Sequence, residues 1–337
     1  MSSPDPIVPG SVPSPKRADL IGVAMYLLAA LLFAVNGSVV KTIIDAGIDP
    51  AHVTSFRNAG AMIILGVYML FRNRSGFRVA KREIPFLIAY GFVAFALVQF
   101  LYVFTISRLN VGIGTLLAFL APVVVAVWLR FGRKQAVRGR VWIALALTLC
   151  GLALVAEVWR GIVLDTAGLI AGLALALSLS LYWLLGESGQ RSRDALSLTF
   201  WGFFFATVAW TVVEPWWAFP WNVVNDTAPP LGGISVPVWV LLIWMVLLGT
   251  IAPFLLVLGS IRRIGSQRAG IVGSTEPVWA TLLAFVLLGE TVTGIQAIGG
   301  LVVLAGIIIA ESARWKSSDD VELRAQTTGS ESVDAEH

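Results

Sequence analysis

Apolar residues in this chain gather in long continuous runs separated by short polar breaks. The runs lie near 20–40, 51–71, 84–106, 111–131, 141–157, 166–186, 196–213, 237–260, 268–288 and 292–312. Apolar and polar residues do not alternate within them, so they predict helices and not barrel strands. A helix needs about 20 residues to cross the hydrocarbon core of a bilayer. The pattern therefore predicts an all-α integral membrane protein of ten transmembrane helices, with 141–157 and 196–213 at the short limit. Residues 1–19, rich in Pro and Ser, and the acidic stretch 315–337 bury nothing and read as solvated, disordered tails. The run behind Lys16 and Arg17 has no small-residue cleavage site, so it does not read as a signal peptide.

Composition sharpens this picture. Of 337 residues, 57% are hydrophobic and 13% charged, about half the charge of an average soluble domain. That excludes an ordinary soluble enzyme. Basic residues fall almost entirely in alternate breaks: Arg72 to Arg82, Arg130 to Arg140, Arg191 and Arg193, Arg262 to Arg268, and both tails. Of the 24 Lys and Arg, the exceptions are Lys41, Arg57, Arg108 and Arg160. The bias places both termini in the cytoplasm of a cell-membrane protein. Basic residues confined to short loops also argue against nucleic acid as a partner. The 214–236 break, with Trp216, Trp217 and Trp221, reads as an interfacial aromatic belt, or alternatively as a lid over an entrance. It also holds an Asn225-Asp226-Thr227 sequon. Cys150 sits alone in an apolar run, so no internal disulfide forms.

The chain repeats itself. An offset of 155 residues lays Arg108 on Arg263, Pro122 on Pro277, Ile143 on Ile298, Leu149 on Leu304 and Gly151 on Gly306. A weaker match at 146 lays Gly22 on Gly168 and Asn36 on Tyr182. The halves are 20–157 and 166–312, with five spans each. Because five is odd, the second copy enters the membrane from the opposite side. Two such copies enclose a central compartment that can open to either face, the geometry of alternating access. A merely stable duplicated bundle is the plainer alternative.

The stretch 264–312 has a small-residue run before Glu276-Pro277, a Gly289-Glu290 pair, and Gly299-Gly300 leading to Gly306. It resembles the end of an EamA repeat of the drug/metabolite transporter superfamily. AFLAPVVVAVWLRFGRKQ in the first half is similar, with Ala121 at the Glu276 position and Gln135 at the Glu290 position. Asn36-Gly37, Lys41 and Arg57 resemble the family's first two helices. The resemblance implies ten helices in two EamA repeats, a central cavity, and secondary transport of a small metabolite, often outward.

Ionisable groups inside a bilayer are costly and default to functional candidates. Glu276, in the ninth span, is a candidate for substrate binding and proton coupling; Pro277 behind it frees a carbonyl, and a structural role is the alternative. Arg57 either neutralises Glu276, meets a substrate carboxylate, or snorkels to the outer interface. Asn36, Gln99, Tyr102, Tyr182, Trp183 and Trp279 are further cavity-wall candidates for an amphiphilic solute. Tyr102 shares a helix face with Gln99, and Trp279 with Glu276. Each also reads as ordinary helix packing. Pro122 and Pro277 are hinge candidates. Glu290 reads as a cap for the helix that follows it. Gly168 and Gly172 form a small-residue face for internal packing or a homodimer.

With His52 in a loop and His337 terminal, no metal site or His-based catalytic set is expected. No phosphate-binding glycine motif is present, so no cofactor is expected either. The reading is a non-enzymatic carrier of an amino acid or related solute, directed outward and coupled to protons. An exchanger of nucleotide sugars or phosphate esters, or a membrane enzyme acting on a lipid, stands as an alternative.

Overall fold

A computed structural model describes residues 15–132, 139–155 and 164–309. Among the described residues, six helices are long and apolar enough to cross a membrane: Asp19–Asp45, Pro50–Arg72, Lys81–Arg108, Thr166–Gly186, Ala195–Val213 and Val238–Ile264. Shorter apolar helices cover Val111–Val125, Trp142–Val155, Glu276–Leu288 and Gly294–Ile309. We number the helices α1 (Pro15–Asp45), α2 (Pro50–Arg72), α3 (Ile84–Tyr90), α4 (Val98–Arg108), α5 (Val111–Ala118), α6 (Ala121–Phe131) and α7 (Gly139–Val155). The second half holds α8 (Thr166–Gly189), α9 (Ala195–Val213), α10 (Val238–Val246), α11 (Ala252–Gly273) and α12 (Glu276–Leu288). Gly294–Ile309 is α13. The first helix starts at Pro15, inside the stretch expected to be disordered. Gln135 and residues 315–337 lie outside the described residues.

The polar breaks act as caps. Asp49 accepts from the Ala51 amide, Asp165 from Gly168 and Asp194 from Ser197, starting α2, α8 and α9. Each satisfies an amide that the first turn of a helix leaves without a partner.

The duplication read from the sequence reappears in the contacts. A Cβ added at Gly151 would stand 2.7 Å from the Gly299 carbonyl oxygen and from the Val303 amide. At Gly306 it would meet the Ala144 carbonyl at 2.9 Å and the Thr148 amide at 3.1 Å. Gly306, Gly299 and Val303 are the 155-residue mates of Gly151, Ala144 and Thr148, so the contact is made twice with roles exchanged. Such an exchange is the mark of a two-fold axis. As α7 advances from Ala144 to Gly151, its partner positions on α13 recede, so the two helices run antiparallel. The same exchange relates Gly22 against Arg263 and Ile264 to Gly168 against Arg108 and Leu109. The halves are thus antiparallel copies, and the first helix of each packs on the other copy.

Two irregularities obey the same offset. The third helix of each half is interrupted by a π-helical stretch, Gly91–Leu97 between α3 and α4 and Leu247–Ile251 between α10 and α11. The fourth helix of the first half breaks at Phe119 and Leu120, and its mate breaks at Ser274 and Thr275. These are full breaks rather than kinks. Pro122 and Pro277 stand in the first turn of the helices that restart, where a proline removes no hydrogen bond. Pro277 is therefore not a mid-helix residue freeing a carbonyl.

The expected separation of the eighth and ninth spans near Arg262 takes another form. Helical hydrogen bonding continues from Ala252 to Gly273. Yet Gly259 touches Met25 and Gly273 touches Tyr26. In a straight helix those glycines would stand about 21 Å apart, so α11 bends between them.

Candidate functional site

The π-helical stretch Leu247–Ile251 is where the sequence-predicted residues converge. A π turn leaves backbone groups out of the regular ladder. The Thr250 hydroxyl answers one by donating to the Met245 carbonyl at 2.9 Å. Arg57 answers another: its Nη2 donates to the Gly249 carbonyl at 3.3 Å, and its Nε to Thr250 Oγ1 at 2.8 Å. Arg57 is 3% exposed. It neither snorkels to an interface nor pairs with Glu276; its direct partners are the hydroxyl and the carbonyl. Asn36 packs its side chain against Gly249, which has no side chain to keep it away.

Tyr102 completes this group. Its hydroxyl lies over Gly37 and beside Thr115. Thr115 in turn donates to the Val111 carbonyl at 2.9 Å, and the Val111 amide donates to Glu290 Oε2 at 2.8 Å. Glu290 therefore caps α5 of the other copy, not the helix that follows it. That helix, α13, is capped by Thr293 and Gln296, each accepting from the other's amide at 3.2 and 3.0 Å. Burial pushes the Glu290 carboxyl above its ordinary range, and the Val111 amide pulls it back.

Glu276 is half-buried and opens α12 directly after the break. A carboxylate there faces the positive end of the helix dipole. Gln99 is buried one turn before Tyr102. Trp279 is 37% exposed and turns away from the packed interior. Tyr182 joins a separate cluster: it stacks on Tyr90 at 6.1 Å and meets Phe95 edge-on at 5.7 Å. Trp183, the next residue on α8, is half-buried. Gly168 and Gly172 pack on Arg108, Leu109 and Leu117, so that face serves internal packing rather than a dimer.

The two-fold relation explains why the candidates divide. Arg57 on Thr250 has as its mates Phe203 on Phe95, whose rings lie 4.6 Å apart. Asn36 has Tyr182, and Glu276 has Ala121. One architectural position is polar in one copy and aromatic in the other. Sequence reasoning passed over Thr250 and Thr115. The available signal was a hydroxyl residue inside an otherwise apolar run.

Both ends of the α2–α9 pair are fastened. At the end carrying the 214–236 loop, His52 Nε2 lies 2.8 Å from Glu214 Oε1 and 3.1 Å from the Ala218 carbonyl. The loop folds over the core through Phe219, Val223 and Ala228, while Trp217 and Trp221 stay exposed. At the Arg-rich end, Arg193 binds Glu83 at 3.1 Å, Ser197 at 2.7 Å, the Gly76 carbonyl at 3.1 Å and the Arg78 carbonyl. A polar recess of about 420 Å3 surrounds it. Deeper between α2, α9 and the π stretch, a gap of about 10 Å3 is lined by Leu196, Thr199, Phe203 and Thr250. That gap barely admits one water.

Comparison with known proteins agrees with this architecture. A curated uncharacterised transporter of Archaeoglobus fulgidus is 27% identical over 210 residues, covering 62% of this chain and 70% of the relative. The uncharacterised inner membrane transporter YicL of Salmonella typhimurium is 24% identical over 298 residues, covering 86% and 94%. A solved crystal structure shares the fold with a TM-score of 0.53 at 20% identity, covering 88% of this chain and 97% of its own. The model of the EamA-like transporter family matches residues 20–156 and again 166–311, the two antiparallel copies, and the chain belongs to that family of membrane transporters.

Proposed function

We propose that this chain is a secondary transporter of ten membrane crossings with both termini in the cytoplasm. It moves an amino acid or related amphiphilic solute outward across the cell membrane by alternating access. The observation that carries this reading is the exchanged contact set, Gly151 with Gly299 and Val303 against Gly306 with Ala144 and Thr148. Antiparallel copies joined by a two-fold interface can rock about it, and each rocking state exposes the shared interior to one side. The tight interior gap and the fastened ends support an occluded state between the two.

Glu276 carries the coupling proton in this mechanism. It is a half-buried carboxylate at a helix break, where the chain can move. The test is flux in proteoliposomes over a panel of amino acids, with and without a pH gradient. Glu276→Gln should lose gradient-driven flux while the protein stays folded. Gradient-driven flux at the wild-type rate from that variant removes Glu276 from the mechanism. Flux of no amino acid by the wild type removes the substrate assignment. A reporter active only in the cytoplasm should give signal at both termini, and silence at either breaks the ten-crossing topology.

A further inference from the structure

We propose that Arg57 is the docking point for a carboxylate of the transported solute. The proposal rests on the transporter reading above and names the chemistry of its binding site. Arg57 is a buried cation whose donors are only partly used. Nε and Nη2 are committed to Thr250 and Gly249, whereas Nη1 is buried with no partner. Among the described residues no carboxylate forms an ion pair with it. A guanidinium presents its donors as a planar fork that matches the two oxygens of a carboxylate. Leaving part of that fork empty in a dry interior is unfavourable unless a ligand fills it.

The surroundings favour a solute that also carries a donor. Asn36 Oδ1 and Asn58 Oδ1 are buried acceptors without partners. Asn58 adjoins Arg57 in sequence, and Asn36 shares Gly249 with it as a contact. An anion at Nη1 with an ammonium or hydroxyl at the Asn36 amide oxygen would satisfy both of those groups. The two-fold mate of Arg57 is Phe203, so symmetry does not require a cation at this place in the fold. If Arg57 only braced the π turn, one donor to the Gly249 carbonyl and one to Thr250 would suffice, and Gln or Lys could supply most of that.

Two measurements on the full-length protein decide the matter. In proteoliposome counterflow with a transported amino acid, the free acid should compete with the label about tenfold or more better than its amide, the worth of a charge-assisted hydrogen bond. Arg57→Gln should erase that preference, and Arg57→Lys should keep part of it. An amide that competes as well as the acid overturns the proposal, as does a preference that survives in Arg57→Gln. If the wild type transports no amino acid, the substrate assignment fails separately. The site is then read by thermal stability in nanodiscs with sodium acetate, propionate or benzoate against matched chloride. A rise in the wild type that is absent in Arg57→Gln sustains the proposal, and no rise with any of the three overturns it.

Discussion

Removing Arg193 should open the Arg-rich end of the molecule. Its side chain is 8% exposed and its guanidinium joins three pieces of chain: the Gly76–Arg78 stretch, Glu83, and Ser197 at the start of α9. Trp201 and Ser197 also donate to the Gly76 carbonyl, at 3.1 and 2.8 Å, so the clamp has a second layer that survives the substitution. Removing one partner of a buried ion pair costs about 3–5 kcal/mol. Glu83 is 24% exposed and rehydrates once freed, which favours the low end of that range. About 3 kcal/mol shifts an open–closed equilibrium roughly 150-fold. Ser197 borders the outer recess, while Leu196 and Thr199 line the interior gap that reaches Thr250. A cysteine at Thr199 in a Cys150→Ser background therefore reports on whether the recess gains access to the gap. With Arg193 intact, a membrane-impermeant maleimide applied from the cytoplasmic side should label it slowly. Arg193→Gln should raise the labelling rate about a hundredfold while the protein remains monodisperse. An unchanged rate in folded protein would refute the idea that this clamp closes the inner passage.

Other outcomes follow from the same geometry. Gly151→Ala and Gly306→Ala each drive a methyl into partner backbone and should destabilise by about 1–3 kcal/mol in thermal unfolding. Gly300→Ala, whose added carbon meets only Leu116 at 3.9 Å, should be neutral or stabilising. Glu290→Ala should cost about 1 kcal/mol by uncapping α5, whereas Glu290→Gln keeps an acceptor for the Val111 amide. Burial raises the folded carboxyl of Glu290 above 4.5, so its contribution to stability is present below that value and is lost as pH climbs through the folded pKa. The Gln variant should flatten that decline in a pH series of melting temperatures. His52→Ala should release Glu214 and Ala218 of the 214–236 loop from α2 and speed cleavage of the loop by an external protease.

What the sequence made legible was whatever is written in spacing along one chain. Run lengths located the helices, and a constant offset located the two copies, because both are properties of residue order. Even the breaks near Pro122 and Pro277 were marked, although as kinks, since a proline announces a helix boundary without saying on which side of it the chain turns. Partners across the interior were not legible. Glu290 stands beside Thr291 in sequence but caps α5 through Val111, 179 residues away. Arg57 and Thr250 lie 193 residues apart, and the π turn that joins them leaves no mark in an apolar run. The Gly168–Gly172 face read equally well as a dimer contact, because a small-residue stripe specifies close approach and not which surface approaches.

The arrangement that results is a symmetric scaffold with asymmetric chemistry, and the asymmetry is informative. The π stretches and helix breaks recur at the same offset, as two copies of one backbone require. Binding needs the opposite. Two identical polar pockets would place two like-charged sets in one dry interior, each cation repelling the other at low dielectric. Here the polar set, Asn36, Arg57, Thr250 and Glu276, faces the aromatic or apolar set, Tyr182, Phe203, Phe95 and Ala121, through the two-fold relation. Under the transport reading proposed above, a solute bound between them would meet charge and hydrogen bonds at one end and ring surface at the other. Exchanging the pair by Arg57→Phe with Phe203→Arg should therefore leave the backbone symmetry intact and abolish flux. Charge would then sit beside Phe95, where no hydroxyl receives it, while Thr250 and the Gly249 carbonyl would face a ring. Retained flux from that double variant would mean that the two positions are interchangeable, and that the polar side of the pocket does not depend on Arg57.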